Sequence, residues 1–440
     1  MTVAPCPGAS SRTERIISLL RALVRINTEH AAPARDAPYG EGCARALSLV
    51  YEECERRGFA VCRLGEKVVC AEVGSAGPLA AFPVHLDVVP AGDGWAHDPY
   101  AADLVDGVLY GRGCMDNKIG GAILIELVDE LARSWRDRGQ ELPCRLRIIF
   151  GTDEETGMSD LEDYVNSGEE LPTLGFVPDA AFPATRGEKA RLHLRVCHSV
   201  KADGLTIEAG TMVNVVPARA VARLADGTEI RVQGRSAHGS TPERGENAAC
   251  KLVRELVGRG VTAGGALEEV DRLLCRDLTG AALGVDVPDD TFGHASLNLG
   301  VLALANGRLT AELDLRFGMM LSANDVVSRV RQALGEEWSV EVVRAKPLHL
   351  VSADDPCLRV LLAAYEEVTG ERGAEADVMA GGTYASYLPA LVAFGPKLPG
   401  THSGAHGTDE HVSVKNIERA EEIYWRALEG IVALAASREE

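Results

Sequence analysis

Apolar residues recur at steps of three and four through Ile16, Ile17, Leu20, Leu23 and Val24. That spacing is one stripe of a helix, which the sequence predicts over residues 11–27. Ser11 and Glu14 stand at the separation of a capping box, so the start is marked as well. A second helix is predicted over residues 41–57, with Leu47, Val50, Tyr51 and Cys54 on its apolar face and Gly58 at its end. The period then shortens. Apolar runs at 60–64, 68–73 and 79–86 predict strands, a strongly apolar helix follows at 119–135, and 146–152 and 174–178 read as buried strands. Helices alternating with apolar strands imply α/β layers.

The middle of the chain has a different texture. Between about 185 and 345 the pattern predicts strands at 192–196, 218–225, 228–234, 296–304 and 308–317, with helices at 247–258 and 324–334. After Pro347 the earlier style returns, with helices over 356–369 and 414–437. The expectation is therefore an α/β domain built from residues 1–184 and 346–440, a mixed sheet flanked by helices, interrupted by an α+β insert at 185–345.

Composition narrows the function classes. Of 440 residues, 46% are hydrophobic and 25% charged, an ordinary globular balance. The formal charge of -20 argues against a nucleic-acid partner, which needs cations to replace phosphate counterions, and against an anionic membrane surface. Eleven cysteines are scattered without a C-x-x-C pair, which reads as reduced thiols rather than a disulfide framework or a zinc knuckle. The N-terminus lacks the pattern of a signal peptide, and no run of apolar residues is long enough to span a membrane. A soluble cytoplasmic protein is expected.

Familiar nucleotide and hydrolase signatures are missing. Gly111-Arg112-Gly113 leads to Asp116 where a dinucleotide fingerprint needs its third glycine, and there is no P-loop, H-E-x-x-H or G-x-S-x-G. What stands at the ends of the apolar strands is a set of histidines and acids. His85 and Asp87 are two apart in a strand and share a face, so the acid can orient the imidazole while its other nitrogen binds a metal. A local hydrogen bond at a strand end is the plainer alternative. Asp116 opens the helix at 119 and is either a helix cap or a ligand. Asp153, Glu154 and Glu155 follow a buried strand; crowded acids repel unless a cation neutralises them, although a solvated acidic loop would look the same. Asp179 ends another strand, and His406 lies in H-S-G-A-H-G-T-D-E-H. Open α/β sheets place their sites at such strand ends. A mixed imidazole and carboxylate set suits Zn²⁺ or Mn²⁺.

The ordered set H-L-D-V-V-P, G-R-G-x-x-D-N-K, G-T-D-E-E-T-G, P-D-A-x-F-P, H-G-S-T-P, G-G-T-Y-A and H-G-T-D-E-H resembles the co-catalytic zinc metallopeptidases of the aminoacylase/carboxypeptidase family. It is closest to the bacterial PepV-like, or Xaa-His, dipeptidases, and the likeness spans nearly the whole chain. The resemblance implies a zinc-peptidase-like catalytic domain with the insert acting as a lid. It implies two divalent ions, Zn²⁺ first with Mn²⁺ or Co²⁺ also accepted: His85 and Asp179 on one, Glu155 and His406 on the other, Asp116 bridging. Asp87 would orient His85, and Glu154 would be the general base toward a di-metal-bound water. His238 and Asn214 of the insert, together with Gly382, would bind substrate. The family places an arginine after G-G-T-Y-A to grip a substrate carboxylate; here that position is Ser386, so either another cation such as Arg235 or Arg244 takes its place or the substrate lacks a free carboxylate there. A small peptide substrate, dipeptide hydrolysis and a monomeric chain are implied, with a homodimer, an N-acyl amino acid deacylase or an inactive binding protein as alternatives.

Overall fold

A computed structural model describes residues 11–201 and 204–437. The chain divides into two compact units. The first takes the chain up to Arg186, Leu350–Asp377 and the chain from Thr383; the second takes Gly187–His349 and Val378–Gly382. The main segment of the second unit thus starts two residues later and ends four residues later than the expected 185–345, and the short piece at 378–382, including Gly382, groups with it rather than with the first unit.

In the first unit, α1 (Arg12–Val24) starts on a reciprocal capping box between Ser11 and Glu14 and buries Ile16, Leu19, Leu20, Leu23 and Val24. After α2 (Glu41–Arg56) come β1 (Ala60–Leu64), β2 (Val68–Val73) and β3 (Leu79–His85), then α3 (Lys118–Asp137), β4 (Arg145–Gly151), α4 (Ser159–Asn166) and β5 (Leu174–Val177). The sheet order is β1-β2-β4-β3-β5, continued by Val392–Ala393. β1, β2 and β4 pair antiparallel, whereas β3 is parallel to both β4 and β5, so the sheet is mixed. Strands β3 and β5 are buried along their whole length, which is why they read as continuous apolar runs. The helices Pro356–Thr369 and Val414–Ala436 complete this unit.

The second unit holds β6 (Ala190–Ser199), β7 (Thr206–Ala209), β8 (Arg219–Arg223), β9 (Glu229–Gln233), α5 (Ala248–Gly258), β10 (Ser296–Ala305), β11 (Arg308–Phe317), α6 (Ala323–Leu334) and β12 (Trp338–Lys346). Its seven strands lie in the order β9-β8-β7-β10-β11-β6-β12 and pair antiparallel. Leu192, Leu194 and Val196 alternate into a core shared with α5 and α6. The opposite face of β6 is zipped to β11 by Arg191–Asp314, His193–Glu312 and Arg195–Glu312 pairs, which extends the strand beyond its apolar stretch.

Several elements were not foreseen, among them β7, the strand Val392–Ala393 and three more. α4 is eight residues of mostly polar sequence, Ala266–Val270 runs on into a wide turn at Asp271–Cys275, and β12 is an edge strand whose side chains are mostly exposed. α4 and β12 lack a sustained apolar period, whereas Leu267, Val270, Leu273 and Leu274 do recur at helical spacing and are buried in the core of the second unit. Among the described residues no helix is long and apolar enough to cross a membrane.

Candidate active site

The site grows from the C-terminal ends of β3, β4 and β5. His85 is the last residue of β3 and is paired in register with Gly151, the last of β4. Gly151 is required there, because a Cβ would fall 2.2 Å from the Tyr384 hydroxyl and 2.4 Å from Asp160. Gly120, in the first turn of α3, serves the same end: a Cβ would meet Pro178 at 2.8 Å, so its absence lets the helix start press against the strand end carrying Asp179.

Six of the expected residues converge. His85 Nε2 lies 3.0 Å from Asp116 Oδ1 and 3.6 Å from Asp179 Oδ2. His406 Nε2 lies 3.0 Å from Asp116 Oδ2 and 3.0 Å from Glu155 Oε1. His85, Asp116 and Glu155 can present ligand atoms to one point, and so can His85, Glu154 and Asp179. Asp116 is therefore not the helix cap that its local sequence allows. The cap position of α3 is Asn117, without a side-chain cap bond, and the Asp116 carboxylate faces the two imidazoles instead.

Asp87 contacts His85 and does more besides. The His85 Nδ1–H donates to the Asp87 backbone carbonyl at 3.0 Å, while the nearest carboxylate oxygen is 3.5 Å away. The carboxylate instead accepts the backbone N–H groups of Glu154 and Glu155, at 3.2 and 3.0 Å. One residue thus fixes the imidazole tautomer through its backbone, leaving Nε2 for a cation, and pins the acidic loop through its side chain.

Electrostatics set the acids apart. Burial pushes Glu154 well above the carboxylate range, with Asp179 and Glu155 adding to the rise; burial and Asp116 likewise raise Glu155. Burial opposes charge on His85, but Asp179 and Asp116 hold it well above its ordinary value. Burial is likewise overcome at His406, where Asp116 and Glu155 lift it to about 11.

Residues outside the expected set hold this arrangement. Glu410 is fully buried and accepts the N–H groups of Gly113, Met115 and Asp116 as well as Arg112, fixing the turn that presents Asp116. Asp160 accepts from Thr152, Asp153 and Tyr384, and burial raises it to about 7. His30 Nε2 meets the Thr152 carbonyl at 2.7 Å. Glu410 and Tyr384 stood inside two of the motifs, whereas Asp160 and His30 carried no sequence signal.

Each of the remaining expected residues has a local setting of its own. Ser386 is buried, and its hydroxyl donates to the Thr383 carbonyl at 2.9 Å, so it is committed within its own turn. His238 and Asn214 belong to the second unit and are neighbours there: Val215 bridges His238, and Gly239 N–H donates to the Asn214 carbonyl. His238 Nδ1 meets Ser240 Oγ at 2.5 Å. Gly382 is also in that unit, backed closely by Lys346, which is paired with Glu188. Arg235 is engaged with the Arg244 carbonyl and with Glu246.

Residues 81–430 match the family model described as peptidase family M20/M25/M40. A Bacillus subtilis relative, "Putative dipeptidase YtjP", is 30% identical over 95% of this chain and 97% of its own length. Among solved structures, an M20 family metallo-carboxypeptidase from Sulfolobus solfataricus has the same fold (TM-score 0.62, 16% identity, 95% of this chain and 99% of that one). So does an aminoacylhistidine dipeptidase from Vibrio alginolyticus (TM-score 0.60, 15% identity, 96% of this chain and 98% of that one). With a relative at this identity and a family match over most of its length, the chain belongs to peptidase family M20/M25/M40.

Proposed function

We propose that this chain is a metal-dependent dipeptidase. The observation that carries the reading is the split use of Asp116: its two oxygens face two different imidazoles, and each imidazole has an acid of its own, Asp179 for His85 and Glu155 for His406. That is the donor arrangement two neighbouring cations would share. The set contains imidazole and carboxylate but no thiolate, and its acids are crowded enough to favour divalent charge, so the residues fit two ions, Zn²⁺ first and Mn²⁺ or Co²⁺ as acceptable substitutes. Such ions, when bound, supply the Lewis acidity that polarises a scissile carbonyl and makes water acidic at neutral pH.

The chain's own groups do the rest. Glu154 takes a proton from the attacking water and returns it to the departing amine, a role suited to a carboxyl raised by burial and acidic neighbours. Asp87 holds the Glu154 and Glu155 amides together, so base and ligand move as one element. In this reading His238, Asn214 and the Gly382 backbone bind substrate from the second unit, which acts as the lid. Ser386 supports its turn and leaves carboxylate binding to another residue. The substrate is a small peptide, the chain acts as a monomer, and the reaction belongs in the cytoplasm, consistent with free thiols at the described cysteines.

The test is hydrolysis by the metal-loaded protein of a dipeptide panel against matched N-acyl amino acids. Faster turnover of dipeptides supports the reading. Cleavage of acyl amino acids with dipeptides untouched would replace it with a deacylase on the same site.

A further inference from the structure

The β1–β2 hairpin sets Cys62 directly opposite Cys70, between the pairs Ala60–Glu72 and Leu64–Val68. Directly opposed residues of antiparallel strands have Cα atoms about 4.5–5.5 Å apart, within the roughly 4.4–6.8 Å that a disulfide spans. The two side chains therefore leave the sheet on the same face, side by side. Their surroundings are unequal. Cys62 is exposed on the edge strand of the sheet, whereas Cys70 is 2% exposed and packs among Val68, Ile149, Leu161 and Tyr164. The other described cysteines are also buried. One thiol of the pair is open to small solutes, and its partner is shielded from them but within reach of the first.

We propose that Cys62 and Cys70 form a reversible oxidation site that reacts with hydrogen peroxide, Cys62 attacking and Cys70 resolving. In the first step the Cys62 thiolate forms an S–O bond as the O–O bond of peroxide breaks; the leaving hydroxide takes up a proton as water, and Cys62 is oxidised by two electrons to a sulfenic acid. In the second step Cys70 sulfur attacks Cys62 sulfur. The S–S bond forms, the S–O bond breaks, and the hydroxyl departs with the Cys70 proton as a second water. Two thiols and one peroxide give one disulfide and two waters. The neighbouring Cys70 thiol lowers the Cys62 thiol to about 7, against burial and the carboxylates of Glu169 and Glu72 and with help from Arg147, which favours a thiolate near neutral pH. An exposed cross-strand bridge is readily reduced again, the behaviour of a sensing rather than a structural disulfide.

The site is separate from the catalytic acids, so it can be tested without reference to peptide hydrolysis. The full-length, metal-loaded protein is treated with hydrogen peroxide, its free thiols are alkylated, and it is digested with trypsin without reduction. Arg63 and Lys67 lie between the two cysteines, so a bridge joins two separate peptides. The expected result is a Cys62–Cys70 linked pair that disappears on adding a thiol reductant, with Cys62 losing its free thiol roughly tenfold faster than the buried cysteines. Cys62→Ser should abolish the linked pair. Cys70→Ser should leave Cys62 as a sulfenic acid that a 1,3-dicarbonyl probe captures. Peroxide treatment that leaves both thiols alkylatable, or that links Cys62 to a different cysteine, would overturn the proposal. Because Cys62 is exposed, the Cys62→Ser variant remains informative even if Cys70→Ser folds poorly.

Discussion

Glu126 and Asp129 on α3 and the acids around Asp116 are both clusters of carboxylates inside the same structural unit, but they are neutralised in opposite ways. Glu126 and Asp129 are 2% and 5% exposed, and each is met by guanidinium groups: Arg57 reaches both, Arg15 adds to Glu126 and Arg133 to Asp129. Burial alone would raise Glu126, yet Arg57 and Arg15 hold it below its ordinary value. At the other cluster four acids, Asp116, Glu154, Glu155 and Asp179, gather around two imidazoles, and Glu154 and Glu155 are raised. The second unit repeats the first pattern, with buried Asp314 matched by Arg316 and Arg191. The difference teaches that buried acids matched by the chain's own cations are structural. Where four acids surround only two imidazoles, the negative charge exceeds what the chain's own groups can offset, and the excess calls for charge from outside.

The largest expected effect separates the roles within the unmatched cluster. Glu154→Gln keeps the size of the side chain but removes the proton carrier, so kcat should fall by about 10²–10⁴ with metal content unchanged. Glu155→Gln should instead lose metal. The reverse pattern, measured by elemental analysis beside steady-state kinetics, would mean that the two residues exchange roles.

Next in size is the matched cluster. Arg57→Ala leaves Glu126 and Asp129 buried with one cation fewer and should cost about 3–5 kcal/mol of stability, while kcat of the folded protein is preserved. A chemical denaturation midpoint alongside kcat checks both halves; a large loss of kcat with unchanged stability would tie this cluster to catalysis.

The smallest effect is the pH dependence of the same variant. Glu126 is depressed in the folded state, so its contribution is fully present above its ordinary value of 4.5 and is lost as pH falls through the lower folded value. The wild type should therefore lose stability on acidification below about pH 4.5 more steeply than Arg57→Ala. Parallel curves would show that Arg57 does not hold the Glu126 carboxylate in its charged form.

Much of this organisation is legible in the sequence because it rests on local patterns. The capping box at Ser11, the helix from Pro356 and the strand Arg308–Phe317 follow from spacing alone. The acids of the candidate site sit beside glycines and strand ends that mark themselves. What escaped was held together by distant contacts. α4 exists because Asp160 at its start is tied to Thr152, Asp153 and Tyr384, none of which creates a helical period. β12 is an edge strand paired with β6 and has little to bury. Ser386 shows the limit of reading a site by position: it stands where a substrate contact was expected, but its hydroxyl is buried against Thr383. Asp87 was found through its pairing with His85, yet its carboxylate holds the acidic loop, a contact across two strand ends that no spacing encodes.

The central claim is that the acids around Asp116 are unmatched because two cations complete them. Metal content, dipeptide turnover and Tm measured on one preparation before chelation, after it, and after adding zinc back test this most directly. The account predicts two divalent ions per chain, loss of turnover and a lower Tm when they are removed, and recovery of both on return. Undiminished dipeptide hydrolysis by the metal-free protein would contradict it.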